Sequence, residues 1–420
     1  MSVINAPRGV RDILPNESWK WAYVLRKTAE VASGFGYDEI HLPLFEHTEL
    51  FSRGIGEATD VVEKEMYTFT DRGGRSLTLR PEATASMVRA YLQNNMQSEP
   101  QPVKLWCSGP MFRYERPQKG RYRQFWQLDF EALGSPSPLV DVEVIGIALA
   151  LFRKLGLSNL DVVINSVGCP VCRPAYREKL KAYFESRIDE LCDTCKSRLD
   201  RNPLRILDCK NETCRKVTED APDIYSSLCG ECRDHFDMVL KGLTSLGISH
   251  HLDKRLVRGL DYYTKTAFEI LSGELGAQNA VCGGGRYDNL SEAIGGPDLP
   301  SVGFAAGLDR ILLVMEQQCC TFGDRPGIDV YVVSADKGLE LEASSLVAEL
   351  REYGIGADMD FLGRGMKAQF KSAANKGASF ACILGGSELS RGVVTVKDLA
   401  KGEQTAVSRE EVAAFLKKNS

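Results

Sequence analysis

The segment F-R-Y-E-R-P-Q-K-G-R-Y-R-Q-F-W-Q-L-D-F-E, residues 112–131, changes character halfway along. Its first half is basic, with Arg113, Arg116, Lys119, Arg121 and Arg123 against the single acid Glu115. Its second half alternates apolar and polar residues, the period of a strand. A strand, a cationic Pro-Gly loop and a returning strand predict an antiparallel hairpin. Gln127, Asp129 and Glu131 then share one face of the returning strand, because successive side chains point to opposite faces. A basic loop alone is most often a solvated turn. A row of amide and carboxylate groups beside Phe125, Trp126 and Phe130 is different, because it is costly to bury without partners. The pattern therefore predicts a pocket that grips phosphate at one end and presents carboxylate and amide groups to a small amine-bearing or cationic molecule at the other.

Composition narrows the class. Hydrophobic residues make up 43% and charged residues 26% of the chain, the balance of a globular protein in water. The 420 residues exceed what one core organises, so two or three domains are expected. A net charge of −5 gives no global basic field. A nucleic-acid partner must then be held by local patches with salt-sensitive phosphate contacts. The opening M-S-V-I-N-A-P-R-G-V-R-D has no apolar signal core, and the longest strongly apolar run, residues 144–152, is far too short for a bilayer. A cytoplasmic protein without membrane attachment is expected.

Thirteen cysteines in such a compartment argue against a disulfide framework. Eight of them form the pairs Cys169/Cys172, Cys192/Cys195, Cys209/Cys214 and Cys229/Cys232. Three CxxC spacings and one CxxxxC suit structural zinc, which takes four thiolates in a tetrahedron. The alternative is a set of unmetallated thiols, because two sites need correct pairing in space and spacing does not supply that. Redox-active pairs are a third reading.

Patterning divides the chain into blocks. Residues 1–167 carry an apolar-periodic helix over 19–35 and a helical patch at 48–51. A hairpin over 66–79 with the turn D-R-G-G-R follows, then a helix over 81–93 with Pro81 near its start. Residues 168–249 carry the cysteine pairs and charged amphipathic helices such as 177–191. In residues 250–320, Tyr262 and Tyr263 are expected on opposite faces of a strand, making one of them a core aromatic. The Gly-rich C-G-G-G-R-Y-D at 282–288 follows a β-like run and suits either a tight turn or close backbone approach to a ligand. T-F-G-D-R-P-G at 321–327 reads as a linker, and residues 328–420 alternate strand and helix, predicting a small α/β domain with a mixed sheet. No GxGxxG or P-loop signature is present, so a Rossmann fold is not expected.

Three segments together resemble a known family. F-R-Y-E-R-P with R-Q-F-W-Q is similar to the second signature of the class II aminoacyl-tRNA synthetases. L-V-R-G-L-D-Y-Y, residues 256–263, is similar to the signature peculiar to histidyl-tRNA synthetases, and G-F-A-A-G-L-D-R, residues 303–310, to the third class signature. They stand in the family's order, and the resemblance covers essentially the whole chain. It implies an α+β catalytic core with a mostly antiparallel sheet, formed by residues 1–167 and 250–320. It further implies a mostly helical cysteine-rich insertion at 168–249 that reaches toward the tRNA acceptor stem, and a C-terminal anticodon-binding domain at 328–420. The region 40–51 matches the first signature, which implies a homodimer. The implied activity is ATP-dependent ligation of L-histidine to its tRNA through a histidyl-adenylate, with Mg²⁺ accompanying ATP. No zinc and no other metal ligand is implied in that chemistry.

The resemblance also assigns roles. Arg113 should hold the α-phosphate, and Arg258 should contact both the α-phosphate and the histidine carboxylate. Arg310 should meet the γ-phosphate with Arg121 nearby; guanidiniums suit this because they fork onto two oxygens. Phe125 should stack on adenine. Glu82 and Thr84 of R-P-E-A-T, with Gln127, match contacts to the α-amino group, although Ala83 stands where the family commonly has Gly. Glu131 and Tyr263 match the groups that hydrogen-bond the imidazole, Tyr262 stands beside them, and Tyr287 closes the pocket. Gln118 matches the loop residue that meets the extra guanosine at the 5′ end of histidine tRNA. A silent histidine-sensing paralogue is expected to lose R-G-L-D-Y-Y and the C-terminal domain, and an RNA-binding module has no need of Arg113, Arg258 and Arg310 together.

Overall fold

The computed structural model describes residues 3–56, 59–118, 120–275 and 279–419, so Lys119 of the basic loop lies outside the described residues. The chain forms two compact units, one ending at Thr321 and the other beginning at Phe322.

Strands of the first unit are β1 (Asp38–Glu39), β2 (Phe45–His47), β3 (Tyr67–Thr70), β4 (Ser76–Leu79), β5 (Val103–Phe112), β6 (Gln124–Leu133), β7 (Leu160–Gly168), β8 (His250–Leu252), β9 (Thr264–Ser272), β10 (Ala280–Arg286) and β11 (Ser301–Gly307). Eight of them form one sheet in the order β1-β5-β6-β11-β10-β9-β7-β8. Only the outer pairs β1–β5 and β8–β7 are parallel; every internal pair is antiparallel. This is the mostly antiparallel core that the resemblance implies. A smaller sheet, β2-β4-β3, contains the hairpin around D-R-G-G-R.

The expected hairpin is β5–β6, with Phe112 opposite Gln124, so residues 113–123 extend beyond the paired ends. On one face of β6, Phe130 stacks between Trp106 of β5 and Phe304 of β11, with centroids 5.9 and 5.0 Å away. Strand parity sends the polar row to the other face.

The apolar run at 144–152 lies in the helix Pro138–Lys154 and is buried nearly all round, as befits a helix packed between layers. The Ser137 hydroxyl caps its start by accepting from the Leu139 N–H at 3.3 Å. Among the described residues no helix is long and apolar enough to cross a membrane. Beside this helix, Arg286 is fully buried and paired with Asp141, which also faces His235 at 3.3 Å.

Several boundaries differ from expectation. The helix expected from Pro81 begins at Thr84, because the Glu82 carboxylate accepts from the backbone N–H of Thr84 at 2.8 Å and of Ala85 at 3.0 Å and caps it there. The first helix spans Pro15–Gly34, starting on a proline whose missing N–H costs nothing in a first turn. The amphipathic stretch at 177–191 resolves into the helix Arg173–Glu185 and a separate short turn, Ile188–Glu190. The glycines at 283–285 lie inside β10 rather than in a turn.

The cysteine-bearing segment is helical, with Arg173–Glu185, Asp193–Arg201, Glu212–Glu219 and Gly230–Ser245. Tyr176, Leu180, Phe184, Leu199, Ile206 and Val217 give it a core of its own.

The second unit has β12 (Val330–Ser334), β13 (Ala357–Met359), β14 (Phe380–Leu384), β15 (Val393–Asp398) and β16 (Gln404–Ser408) in the order β13-β12-β14-β15-β16. β13, β12 and β14 are parallel and the remaining pairs antiparallel, a mixed sheet. Val330 and Val332 bury against the helices Glu340–Glu352 and Val412–Asn419, while Tyr331 and Val333 bury against Met366–Asn375. Helices therefore cover both faces, as period-2 alternation between two cores requires.

Candidate functional site

Strand β6 supplies the floor. Gln127, Asp129 and Glu131 stand opposite Gly307, Ala305 and Gly303 of β11. The small neighbours matter: a Cβ on Gly303 would fall 1.6 Å from Glu131 Oε2. Glycine there leaves the space that the carboxylate occupies.

This end of the cavity is rich in acceptors. Glu131 accepts from the Thr84 hydroxyl at 2.6 Å and from the Tyr287 hydroxyl. Burial still pushes its carboxyl well above the ordinary range, against the pull of those bonds. Neither oxygen of the buried Asp129 has a hydrogen-bond partner. Burial, reinforced by the Glu82 charge, pushes Asp129 up to about 8. Burial raises Glu82 as well, and Tyr262 donates to it at 3.5 Å. The side-chain carbonyl of Gln127 also lacks a donor. Unmatched buried acceptors are unfavourable, and an ammonium or ring N–H brought by a ligand removes the mismatch.

Tyr262 and Tyr263 correct the sequence expectation. β9 begins only at Thr264, so the two tyrosines precede the strand and its alternation does not apply. Their rings lie 4.8 Å apart, both are buried, and both face the cavity. Tyr287 meets Tyr262 edge-on at 5.6 Å.

The other end is cationic. Arg113 donates from Nε to the Pro81 carbonyl at 2.8 Å, and its guanidinium lies 5.4 Å from the Phe125 ring centre. Arg121 pairs with Glu115, and Arg310 donates to the Ala280 carbonyl at 2.7 Å. Burial pushes Arg121 and Arg310 below the ordinary guanidinium value, and the neighbouring arginines push the same way. Arg113, Arg121 and Arg310 thus gather guanidiniums at one end of the cavity, which suits an anion.

Arg258 also lines this cavity. It pairs with Glu269, and its guanidinium lies 5.6 Å from the Tyr263 ring centre. Burial works against its charge, but Tyr263 and Glu269 outweigh that and hold its pKa above the ordinary value.

One cavity of about 420 Å³ collects every residue expected to contact histidine or ATP. Gln118 is not among its lining residues; it is exposed in the loop, its backbone paired with that of Arg121 at 3.1 and 2.9 Å. Among the lining residues without a role assigned from the sequence are the charged groups Asp129, Asp208, Lys210 and Glu269. Asp129 carried a signal, since it shares strand parity with Gln127 and Glu131. The other three carried none, because tertiary packing alone brings them here.

This fold and site define a class II aminoacyl-tRNA synthetase. A family model described as histidyl-tRNA synthetase matches residues 9–311, and one described as anticodon binding domain matches residues 329–419. The chain is 53% identical over 411 residues to the histidine–tRNA ligase of Desulforamulus reducens, covering 98% of both chains. It is 52% identical over 411 residues to that of Pelotomaculum thermopropionicum, covering 98% of this chain and 97% of the other. The crystal structure of apo histidyl-tRNA synthetase from S. aureus matches with a TM-score of 0.84 at 38% identity, covering 99% of this chain and all 100% of that one. A Bacillus halodurans structure described as an ATP phosphoribosyltransferase regulatory subunit/histidyl-tRNA synthetase matches at a TM-score of 0.65 and 23% identity over 92% of this chain and 100% of that one, a likeness of fold alone. The chain belongs to the histidyl-tRNA synthetase family, enzymes that charge tRNA with histidine.

Proposed function

We propose that this chain activates L-histidine with ATP and transfers it to tRNA through a histidyl-adenylate. One observation carries the reading: a single cavity joins a floor of donor-poor acceptors to a concentration of guanidiniums, with Arg258 among its lining residues. The α-amino group of histidine brings N–H donors to Glu82, Thr84 and Gln127. The imidazole is read by Glu131 and Tyr263, with Tyr262 and Tyr287 as walls. A polar readout of this kind is strict, because an analogue without the ring N–H leaves a buried carboxyl unmatched.

ATP takes the cationic end, with adenine on Phe125, the α-phosphate on Arg113 and the γ-phosphate on Arg310 and Arg121. Mg²⁺ arrives with the ATP phosphates as part of that substrate and offsets their charge. A histidine carboxylate oxygen attacks the α-phosphorus. The bond from that phosphorus to the bridging β-phosphate oxygen breaks, and pyrophosphate leaves with the electron pair. Arg258, on both the carboxylate and the α-phosphate, aligns the reacting atoms. No side-chain nucleophile is needed, so catalysis is positioning and charge stabilisation. The terminal ribose hydroxyl of tRNA then attacks the activated carbonyl carbon, and AMP departs.

The same reading gives the C-terminal unit the anticodon, the 168–249 insertion the acceptor stem, and Gln118 the 5′ guanosine. It makes the chain a cytoplasmic homodimer through the 40–51 region. Identity above 50% to histidine–tRNA ligases along nearly the whole chain supports catalysis over a silent sensor of similar fold. Incubation with histidine and MgATP but no tRNA tests the two-step route. Enzyme-bound histidyl-adenylate, recovered by gel filtration and identified by mass, is expected with one pyrophosphate released. Charging of tRNA with no adenylate formed in its absence contradicts the intermediate.

A further inference from the structure

The eight paired cysteines fold into two separate four-thiol groups. Cys169, Cys172, Cys229 and Cys232 form an outer group, and Cys192, Cys195, Cys209 and Cys214 an inner one nested within it. In each, all four sulfurs lie within 4.8 Å of one another. The Sγ separations include 3.6 Å for Cys169–Cys172, 3.8 Å for Cys169–Cys229, 3.9 Å for Cys172–Cys232 and 3.9 Å for Cys192–Cys209.

Those separations discriminate between the three readings. Disulfide sulfurs sit about 2.05 Å apart, and these are nearly twice as far. Four thiolates about 2.3 Å from a central zinc have tetrahedral edges of roughly 3.8 Å, which is the spacing here. Unmetallated thiols have no reason to converge twice, four at a time, from segments separated by up to 60 positions.

Local electrostatics suits thiolate. Cys172, Cys192 and Cys229 are the N-cap residues of the helices Arg173–Glu185, Asp193–Arg201 and Gly230–Ser245. Helix N-termini favour negative charge. In each group one backbone N–H points at a sulfur, Cys169 to Cys172 at 3.1 Å and Cys192 to Cys214 at 3.2 Å. Cys195, Cys214 and Cys232 are fully buried, so each group has a protected side.

We propose that this chain binds two structural Zn²⁺ ions, each by four cysteine thiolates, and that they fix the insertion against the loop bearing Arg258 and Tyr263. Binding replaces four S–H protons at each site with four Zn–S bonds and releases the protons. The outer site anchors Arg173, next to Cys172, which donates to the Tyr263 carbonyl. The inner site anchors Cys209, whose chain neighbours Asp208 and Lys210 line the catalytic cavity. Arg205, held to Asp208 at 3.5 Å, donates to the Arg258 carbonyl at 3.3 Å. The reaction takes place at neither metal.

Metal analysis of the purified full chain by mass spectrometry tests this, with two zinc ions per chain expected. Cys209→Ser and Cys232→Ser each lower the count to one. Reconstitution of metal-free protein with Co²⁺ gives the visible spectrum of tetrahedral cobalt–thiolate for two ions, a readout that needs neither variant to fold nor any activity. Iron in place of zinc overturns the choice of metal. Fully active protein with no bound metal and eight titratable thiols in the insertion overturns the proposal, and a count of one overturns the site whose cysteine variant leaves it unchanged.

Discussion

Arg258 is packed against Gly283 so closely that a Cβ on the glycine would come within 2.5 Å of both terminal guanidinium nitrogens. Glu269 pairs with the same guanidinium, and the Tyr263 ring lies 5.6 Å from it. Strand β10 therefore leaves a slot that only glycine provides, and the slot sets where Arg258 points.

Gly283→Ala is expected to shift Arg258 without unfolding the sheet. Misplacement of a positioning group by about 1 Å costs up to about 100-fold in rate. The variant's kcat for adenylate formation should fall about 10- to 100-fold, with the histidine KM changed much less. An unchanged kcat contradicts the role given to that slot.

Glu131→Gln tests how the imidazole is read. The amide keeps the shape but cannot become the charged acceptor that a bound imidazole N–H favours, and hydrogen bonds to charged groups contribute about 1.5–3 kcal/mol. The kcat/KM for histidine should drop about 10- to 200-fold while the KM for ATP barely moves. Equal losses for both substrates would point to a general disturbance of the floor.

Asp129 gives a pH signature. Burial raises its carboxyl from an ordinary 3.8 to about 8. Between those values the folded protein keeps a proton that the unfolded chain has lost. Stability therefore falls as pH rises from about 4 to about 8 and levels off above that. Burial also raises Glu82 and Glu131, in the same direction. Asp129→Asn should make the decline shallower, by a few kcal/mol across the window at most. Urea unfolding of the ligand-free protein at pH 5 and pH 8 checks this; an equal decline in the variant removes Asp129 as a cause.

Asp141→Asn tests the buried network beneath the sheet. Arg286 donates to Asp141 and to the carbonyls of Ser135 and Ser137 at 2.8 and 3.0 Å. Removing the charge of Asp141 leaves a fully buried guanidinium with Asp288, at 3.2 Å, as its remaining counter-charge, at a cost of up to about 3–5 kcal/mol. Denaturant midpoints should fall accordingly, whereas a change below about 1 kcal/mol would mean that Asp288 and the carbonyls suffice.

The hairpin, its polar row and the arginine motifs were legible because they are local patterns: strand period, loop charge and short signatures. Part of what escaped depends on contacts distant in sequence, and part on where an element begins. Strand parity predicts opposite faces for the tyrosine pair, but the chain turns just before β9. The glycines at 283–285 were open between a turn and close approach to a ligand, and what approaches Gly283 is Arg258, 25 positions upstream. Glu82 was readable as a ligand contact but not as the cap that starts the next helix. The cysteines gave four pairs and no pairing between pairs, since only the fold brings residue 169 to residue 229.

The most direct measurement is histidine-dependent ATP–pyrophosphate exchange by the purified protein and its Arg258→Ala variant. Exchange that requires histidine in the unaltered protein, and falls at least about 100-fold in a folded variant that still binds ATP, is the expected result for a residue bridging carboxylate and α-phosphate. Exchange undiminished in that variant, or absent from folded protein that binds histidine, contradicts adenylate formation at this site.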